Sequence, residues 1–429
     1  MGKLLLIIYL NQQFLDGNRI VLDVDRVKNG QTPLNENNIT IKTTQTDFNN
    51  KDVVLGYTAY DSGANKTTYE NKNDGTTLAT LEGVRDTQGI NKTTLTKADG
   101  FMWVKDGEQL QAMNTNLGGN YAFHNSIDLN SIKDLNSIEN FKGNLDGLGY
   151  DIYGLHSKNN GLFKNTSNSI IRNFNLISGS INGTTDNVGA VVGNANSTVI
   201  ENVKNTINVT GANNVGGIIG TGTNVTLNGV VNAGAIKGNS NVGGLAGSLT
   251  AGSTLNGESY NLGDIKGLDT TGTTTTYSHN IGGLVGSASN STIGNETGFQ
   301  MYNHLDVEGG YNVGGIVGNL EDGSTVQNVS NDGNIKATRY IGDKYSYHTN
   351  NATEANDNKV NLNIAGEAKK DVHISNVGGI VGNSTGDTIN DSTDTTNTIK
   401  DVLNNGDVST GLKDGKDTNK NNIKYYIAG

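Results

Sequence analysis

The chain has 429 residues, of which 59 are glycine, 66 asparagine, one proline and none cysteine, and its formal charge is −11. A single proline excludes collagen, and the lack of cysteine excludes disulfide scaffolds and Cys-based zinc or iron–sulfur sites. The acidic balance, with five scattered arginines (Arg19, Arg26, Arg85, Arg172, Arg339) and no basic stripe, argues against a nucleic-acid partner.

Glycine and asparagine usually mark turns, and together they make up nearly a third of the chain. Leu, Ile, Val and Phe still reach about 24%, above the roughly 20% floor of disordered chains. The composition describes a folded chain that turns often. In residues 1–100, Lys3 precedes an apolar run, Leu4–Leu10. It reads either as a short signal-peptide core or as a strand, and no small-x-small cleavage site follows at Asn11–Phe14. The rest of this region alternates weakly, as in Asn38–Ile41 and Val53–Leu55, and is expected to be irregular β structure. No apolar run reaches 18 residues, so no transmembrane helix is expected.

Residues 101–155 form a lead-in of different character. Leu110, Met113 and Leu117 have helical spacing and stop at Gly118-Gly119, which predicts a short helix over Glu108–Leu117. Trp103 is expected to be buried there.

Residues 156–429 carry internal repeats. A heptapeptide reads NVGAVVG from Asn187, NVGGIIG from Asn214, NVGGLAG from Asn241, NIGGLVG from Asn280, and NVGGIVG from Asn312 and again from Asn376. The spacings are 27, 27, 39, 32 and 64, and a degenerate copy starts at Asn160. Two further stretches recur. One is Ser/Thr-rich, as in Ser253-Thr254-Leu255, Ser291-Thr292-Ile293 and Ser324-Thr325-Val326. The other is N-x-G, as in Asn232–Gly234, Asn261–Gly263, Asn331–Gly333 and Asn404–Gly406.

These stretches are too short for helices and alternate with a period near two, so that Val215, Gly217 and Ile219 are expected on one strand face. Three strands per coil of about 27 residues predict a β-solenoid, its coils pairing in parallel about 4.8 Å apart. Val188, Val215, Ile219, Val242, Ile281, Val313 and Val377 are the inward positions, and Gly216, Gly243, Gly282, Gly314 and Gly378 the structural glycines beside them. Asparagine at corners is expected to form amide ladders, which carboxylates could not. Insertions are expected near 268–277 and 340–371. The second contains VNLNIAG, and since 64 is twice 32 it predicts a hidden degenerate coil.

The heptapeptide resembles the GLUG repeat of bacterial surface proteins. Gln109–Leu129, then Phe141–Leu155, then Gly161-Leu162-Phe163 resemble the string that opens the repeats of filamentous-haemagglutinin-like adhesins. That resemblance implies an all-β fold, a right-handed parallel β-helix with a short helix in its lead-in. It also implies a Gram-negative protein, secreted or at the cell surface in association with the outer membrane. Export would be by a two-partner or autotransporter route, through an outer-membrane transporter. Its partners would be host-cell or bacterial surface glycans or proteins. No secretion domain or barrel is recognisable, and Tyr425–Gly429 resembles the start of another copy, so a fragment of a longer protein is expected. A natural end with a repeat-like last strand is the alternative.

No constellation for chemistry emerges. GLUG-like repeats also occur beside proteases that cut host immunoglobulin, but His124, His156, His279, His304, His348 and His373 never have the HExxH spacing. Gly411–Lys416 is one residue short of a P-loop. Asp128, Asp146 and Asp151 are the carboxylates a polysaccharide-processing β-helix would use, and Asp146-Gly147 reads as a turn. Ice binding would need a flat Thr-x-Thr ladder, and Thr273–Thr276 is a single run. The reading is therefore an adhesin or structural stalk, not an enzyme, with no catalytic residue, metal or cofactor. A polysaccharide-processing enzyme or a passive spacer of a larger secreted protein are the alternatives.

Overall fold

The computed structural model describes residues 100–269, 277–295, 298, 301–338, 376–384 and 397–410, with short strand segments between residues 19 and 96. The apolar run at 4–10, Thr273–Thr276, most of both expected insertions, the VNLNIAG stretch, His348, His373, Gly411–Lys416 and Tyr425–Gly429 lie outside the described residues.

The chain winds into a parallel β-helix whose coils stack through four sheets. One coil shows the plan. Val188–Gly189 belongs to the first sheet, Val192–Asn196 to the second, Val199–Asn205 to the third and Asn208–Thr210 to the fourth. Each strand pairs in parallel with its counterpart one coil on. The third sheet also takes up the lead-in strands Phe101–Val104, Asn120–Phe123 and Asn144–Asp146, and Asp52–Tyr57 and Arg19–Asp23 before them.

Two details differ from the sequence reading. A coil has four strands, or five where the third-sheet strand breaks in two as at Thr226–Asn228 and Val231–Asn232, where three were expected, because the heptapeptide itself contains a corner. Val215 and Gly216 end one strand, Gly217 and Ile218 turn, and Ile219 begins the next. Val215 and Ile219 therefore lie on different sheets, and Gly217 on neither. Val215, Ile218 and Ile219 are all fully buried because the chain bends around the core at this point. The second difference is the hidden coil. Val377 pairs directly with Val313, Ile399 with Val326 and Val408 with Ile335. The coil of Asn376 thus stacks straight onto that of Asn312, and none stands between them.

Stacked aliphatics make the core. Val188, Val215, Val242, Ile281, Val313 and Val377 form one column, each at most 1% exposed. Ile200, Leu227, Leu255, Ile293 and Val326 form another. Each such side chain contributes roughly 1.5–3 kcal/mol by burial. The glycines Gly216, Gly243, Gly282, Gly314 and Gly378 stack beside the first column. In the lead-in, rings replace aliphatics: Phe141 lies 4.9 Å from Phe163 and 6.1 Å from Tyr121, and Phe123 lies 5.8 Å from Phe174. The helix is Gly107–Ala112, capped by the Asp106 carboxylate, which accepts from the Gln109 amide at 2.9 Å. It tightens into a 3₁₀ turn over Met113–Thr115, so Leu117 falls outside it. Leu110, Met113 and Trp103 are buried.

Two asparagine ladders bind coil to coil. In the outer one, Asn214 donates to Asn187, Asn241 to Asn214, Asn280 to Asn241, Asn312 to Asn280 and Asn376 to Asn312, at 2.7–2.9 Å. The first five of these residues are in the left-handed conformation, φ 51–60°, which asparagine tolerates better than most residues. The inner ladder runs the other way: Asn205 donates to Asn232, Asn232 to Asn261, Asn261 to Asn303, Asn303 to Asn331 and Asn331 to Asn404, at 2.7–2.8 Å. Asn205 through Asn331 are fully buried. Each also donates to the carbonyl two residues on, as Asn232 does to Gly234 at 2.8 Å, and the glycine of the N-x-G motif is required by the coil before, since a Cβ on Gly234 would sit 1.9 Å from the Ile207 oxygen. The second heptapeptide glycine packs against this ladder. A Cβ on Gly244 would stand 2.2 Å from the Gly283 oxygen and 2.5 Å from Asn261 Cγ.

Candidate functional site

The three carboxylates singled out in the sequence are all engaged in local structure. Asp146 is 1% exposed. It accepts from the Leu148 amide (3.0 Å), Arg172 Nε (2.9 Å) and Asn173 Nδ2 (3.0 Å), fixing the turn at Gly147 and the next coil together. Asp128 accepts from the amide and side chain of Asn130, both at 2.8 Å. Asp151 accepts from Asn175 at 2.8 Å and from the Tyr153 hydroxyl at 2.9 Å, and that hydrogen bond raises the Tyr153 pKa.

The described histidines are dispersed. His124 lies edge-on to Trp103 at 5.3 Å, His156 faces Ser180, His279 stacks on Tyr311 at 5.1 Å, and His304 stands 3.4 Å from Asp332. Among the described residues, no group of three or more His, Asp or Glu could hold a metal ion. No helix among them is long and apolar enough to cross a membrane.

What the coils do bring together is a set of outward ranks. On the fourth sheet, Lys237 and Lys266 align with Glu308 and Lys336. Glu308 lies 3.0 Å from Lys336 and 3.4 Å from Lys266. The hydrogen bond from Lys336, with the charge of Lys266 beside it, holds the Glu308 carboxyl below its usual range, against the effect of burial.

The third sheet is richer. Thr226, Thr254, Thr292, Thr325 and Thr398 form one rank. Asn228 and Asn256, then Gly294, then Gln327 and Lys400 form the next, Gly294 following Ile293, which pairs with Leu255 and Val326. Further along, Tyr260 stacks on Tyr302, rings 4.7 Å apart and 3° from parallel. Burial, with Tyr260 beside it, raises the Tyr302 pKa. Between the threonine and amide ranks runs an open groove of about 630 Å³, lined by these residues from Thr254 to Lys400 and by Asn295. The signal for the threonine rank was already in the Ser-Thr-Leu stretches: serine turns in at the corner, leucine points to the core, and threonine is left outside. Ser253 and Ser324 are fully buried and donate to the carbonyls of Thr250 and Glu321 at 2.6 Å.

Residues 90–209 match the family described as the M26 IgA1-specific metallo-endopeptidase N-terminal region, and residues 309–336 match the GLUG motif. No curated protein matches the chain. A candidate immunoglobulin A1 protease from Bacteroides ovatus aligns at 14% identity over 71% of this chain and 84% of its own, with a TM-score of 0.41. A structure described as IgA1 protease aligns at 17% identity over 84% of this chain but only 25% of its own, with a TM-score of 0.36. Likenesses at these scores do not bear on function.

The family match corrects the sequence reading. The chain does contain a GLUG motif, but the lead-in taken as haemagglutinin-like lies in the segment that matches a peptidase's N-terminal region. This overturns the adhesin or structural stalk. A search for HExxH could not reveal the relationship, because it looks for metal ligands and the matched segment carries none in that spacing.

Proposed function

We propose that the chain is a non-catalytic β-helical region of a peptidase-related protein, and that it holds a protein substrate while the peptide bond is cut by residues other than those described. The match of residues 90–209 to the N-terminal region of an IgA1-specific metallo-endopeptidase carries this reading. It spans the lead-in and runs through the coil of Asn187, the part of the chain whose ordered aromatic core starts the helix. A rod of stacked coils suits the task, since it offers a long, regular outer surface without a deep pocket. Immunoglobulin A1 is the substrate class this points to. In the same proposal the protein is secreted or held at the cell surface, and an outer-membrane transporter is its route of export.

The test uses the purified full chain and human IgA1, with and without added zinc. Binding in an interferometry assay without cleavage on a gel is expected. Zinc-dependent cleavage by this chain alone would overturn the non-catalytic assignment, and absence of binding would overturn the substrate-holding role.

A further inference from the structure

We propose that the groove on the outer face of the third sheet is a binding site for a neutral oligosaccharide, seated between Asn256 and Gln327. This site would serve the chain whether or not it works with a peptidase.

The hollow exists because the amide rank is interrupted. Gly294 stands between Asn256 and Gln327, with φ at +115°, and a Cβ there would sit 1.7 Å from the Gln327 carbonyl oxygen. No other residue can occupy that position, so a gap two strand spacings wide, about 10 Å, stays open.

The amides on either side of the gap are not spent on the fold. Gln327 is only 8% exposed, and its side chain has no hydrogen-bond partner among the described residues. The Asn256 side-chain oxygen is buried and likewise unpaired. The amides of both asparagine ladders, by contrast, are paired from coil to coil. A buried polar group left unpaired costs about 1–3 kcal/mol, so the Asn256 oxygen, with the uncommitted Gln327 amide across the gap, marks a place where a ligand completes the bonding.

The chemistry of the walls selects that ligand. Thr254, Thr292 and Thr325 present hydroxyls along the opposite side at the strand spacing of about 4.8 Å, comparable to the length of one sugar ring. Among the described residues no acidic side chain lines the groove. Lys400, at one end, is the single charge among the described lining residues, too little for a polyanion. Among the described residues no large apolar side chain lines it to receive a peptide's hydrophobic residue. Alternating neutral donors and acceptors match a chain of hydroxyls.

The test is a panel of neutral hexose and N-acetylhexosamine oligosaccharides, with uronate and sialylated ones beside them, measured against the full chain by array and then calorimetry. Neutral oligosaccharides are expected to bind. Asn256→Ala and Gln327→Ala should each weaken binding at least about tenfold, the two lost amide contacts being worth about 1.4 kcal/mol or more apiece. If Gln327→Ala fails to fold, Thr292→Arg still reads the site, because it points outward and fills the groove. It should abolish binding while the melting temperature stays that of the parent. Lys237→Ala, on the fourth sheet, should bind normally. Failure to bind any neutral oligosaccharide would overturn the proposal. So would binding confined to acidic glycans and lost in Lys400→Ala, or binding retained in Thr292→Arg.

Discussion

Replacing Asn261 with alanine tests the inner ladder at its most enclosed point. Asn261 is fully buried. It donates to Asn303 at 2.8 Å and to the Gly263 carbonyl at 2.6 Å, and accepts from Asn232 at 2.7 Å and from the Gly263 amide at 3.2 Å. Alanine removes all four bonds and leaves an Asn232 N–H, the Asn303 oxygen and both Gly263 groups without that partner. At about 1–3 kcal/mol for each buried unpaired group, with partial relaxation, the loss comes to about 3–5 kcal/mol. The control is Asn241→Gly in the outer ladder. That position is half-buried and left-handed (φ 51°), and glycine keeps the backbone while losing bonds of 2.7 Å and 2.8 Å that water can replace. Its cost should be about 1 kcal/mol. Urea unfolding followed by circular dichroism reads the difference, and hydrogen exchange should place the opening at the coil of Asn261, since stacked coils open locally. If Asn261→Ala lies within about 1 kcal/mol of the parent, or costs less than Asn241→Gly, the inner ladder is not what holds the coils.

Val215→Asp or Ile219→Asp buries an unpaired carboxylate in a fully enclosed column. Each should unravel its coil, and a melting curve matching the parent would refute the inward assignment. Gly244→Ala should be far more damaging than Gly252→Ala. The first drives a Cβ into the next coil and Asn261, while the second meets nothing within 4 Å and carries only the left-handed cost, about 1–2 kcal/mol. Equal melting of the two would remove the close-packing argument. The Glu308 carboxyl has a pKa lower in the folded chain than unfolded, so its stabilisation is full above the ordinary carboxylate range and fades as pH falls through the folded value. With Glu308 about a third exposed, the effect stays under about 1 kcal/mol. Glu308→Gln should flatten that part of the pH–stability profile, which a pH titration of the urea midpoint checks.

The coil stack was legible because identical residues recur where the backbone demands them. Asn214 needs a left-handed φ and an amide to pass on, and Gly244 needs to have no side chain beside Asn261. The corner inside the heptapeptide was not legible. Val215 and Ile219 flank two or more small residues whether the chain runs straight or turns, and glycine permits both. The hidden coil failed for a related reason. Spacing counts residues, whereas stacking is decided by which strands bond, and Val377 bonds Val313. The groove depends on Gly294 falling in the rank of Asn256 and Gln327, a register across coils of unequal length that periodicity alone does not give.

The two ladders also explain how so regular a rod can carry function. They pass hydrogen bonds in opposite directions, the outer one from later coil to earlier and the inner one from earlier to later, so their amide dipoles oppose one another and the rod acquires little net polarity from them. Every link is neutral, so coils can be added without mutual repulsion, which a ladder of aspartates would not allow. Register is restored at each asparagine even after 39 or 64 residues, as Asn280 bonds Asn241 and Asn376 bonds Asn312. Inward and corner positions are therefore fixed by stacking. The outward positions, Thr292, Gln327, Tyr260 and Lys336 among them, are free of that constraint. Recognition has to be written there, in ranks one strand apart, which is why it takes the form of a shallow groove along the rod and not a pocket within it.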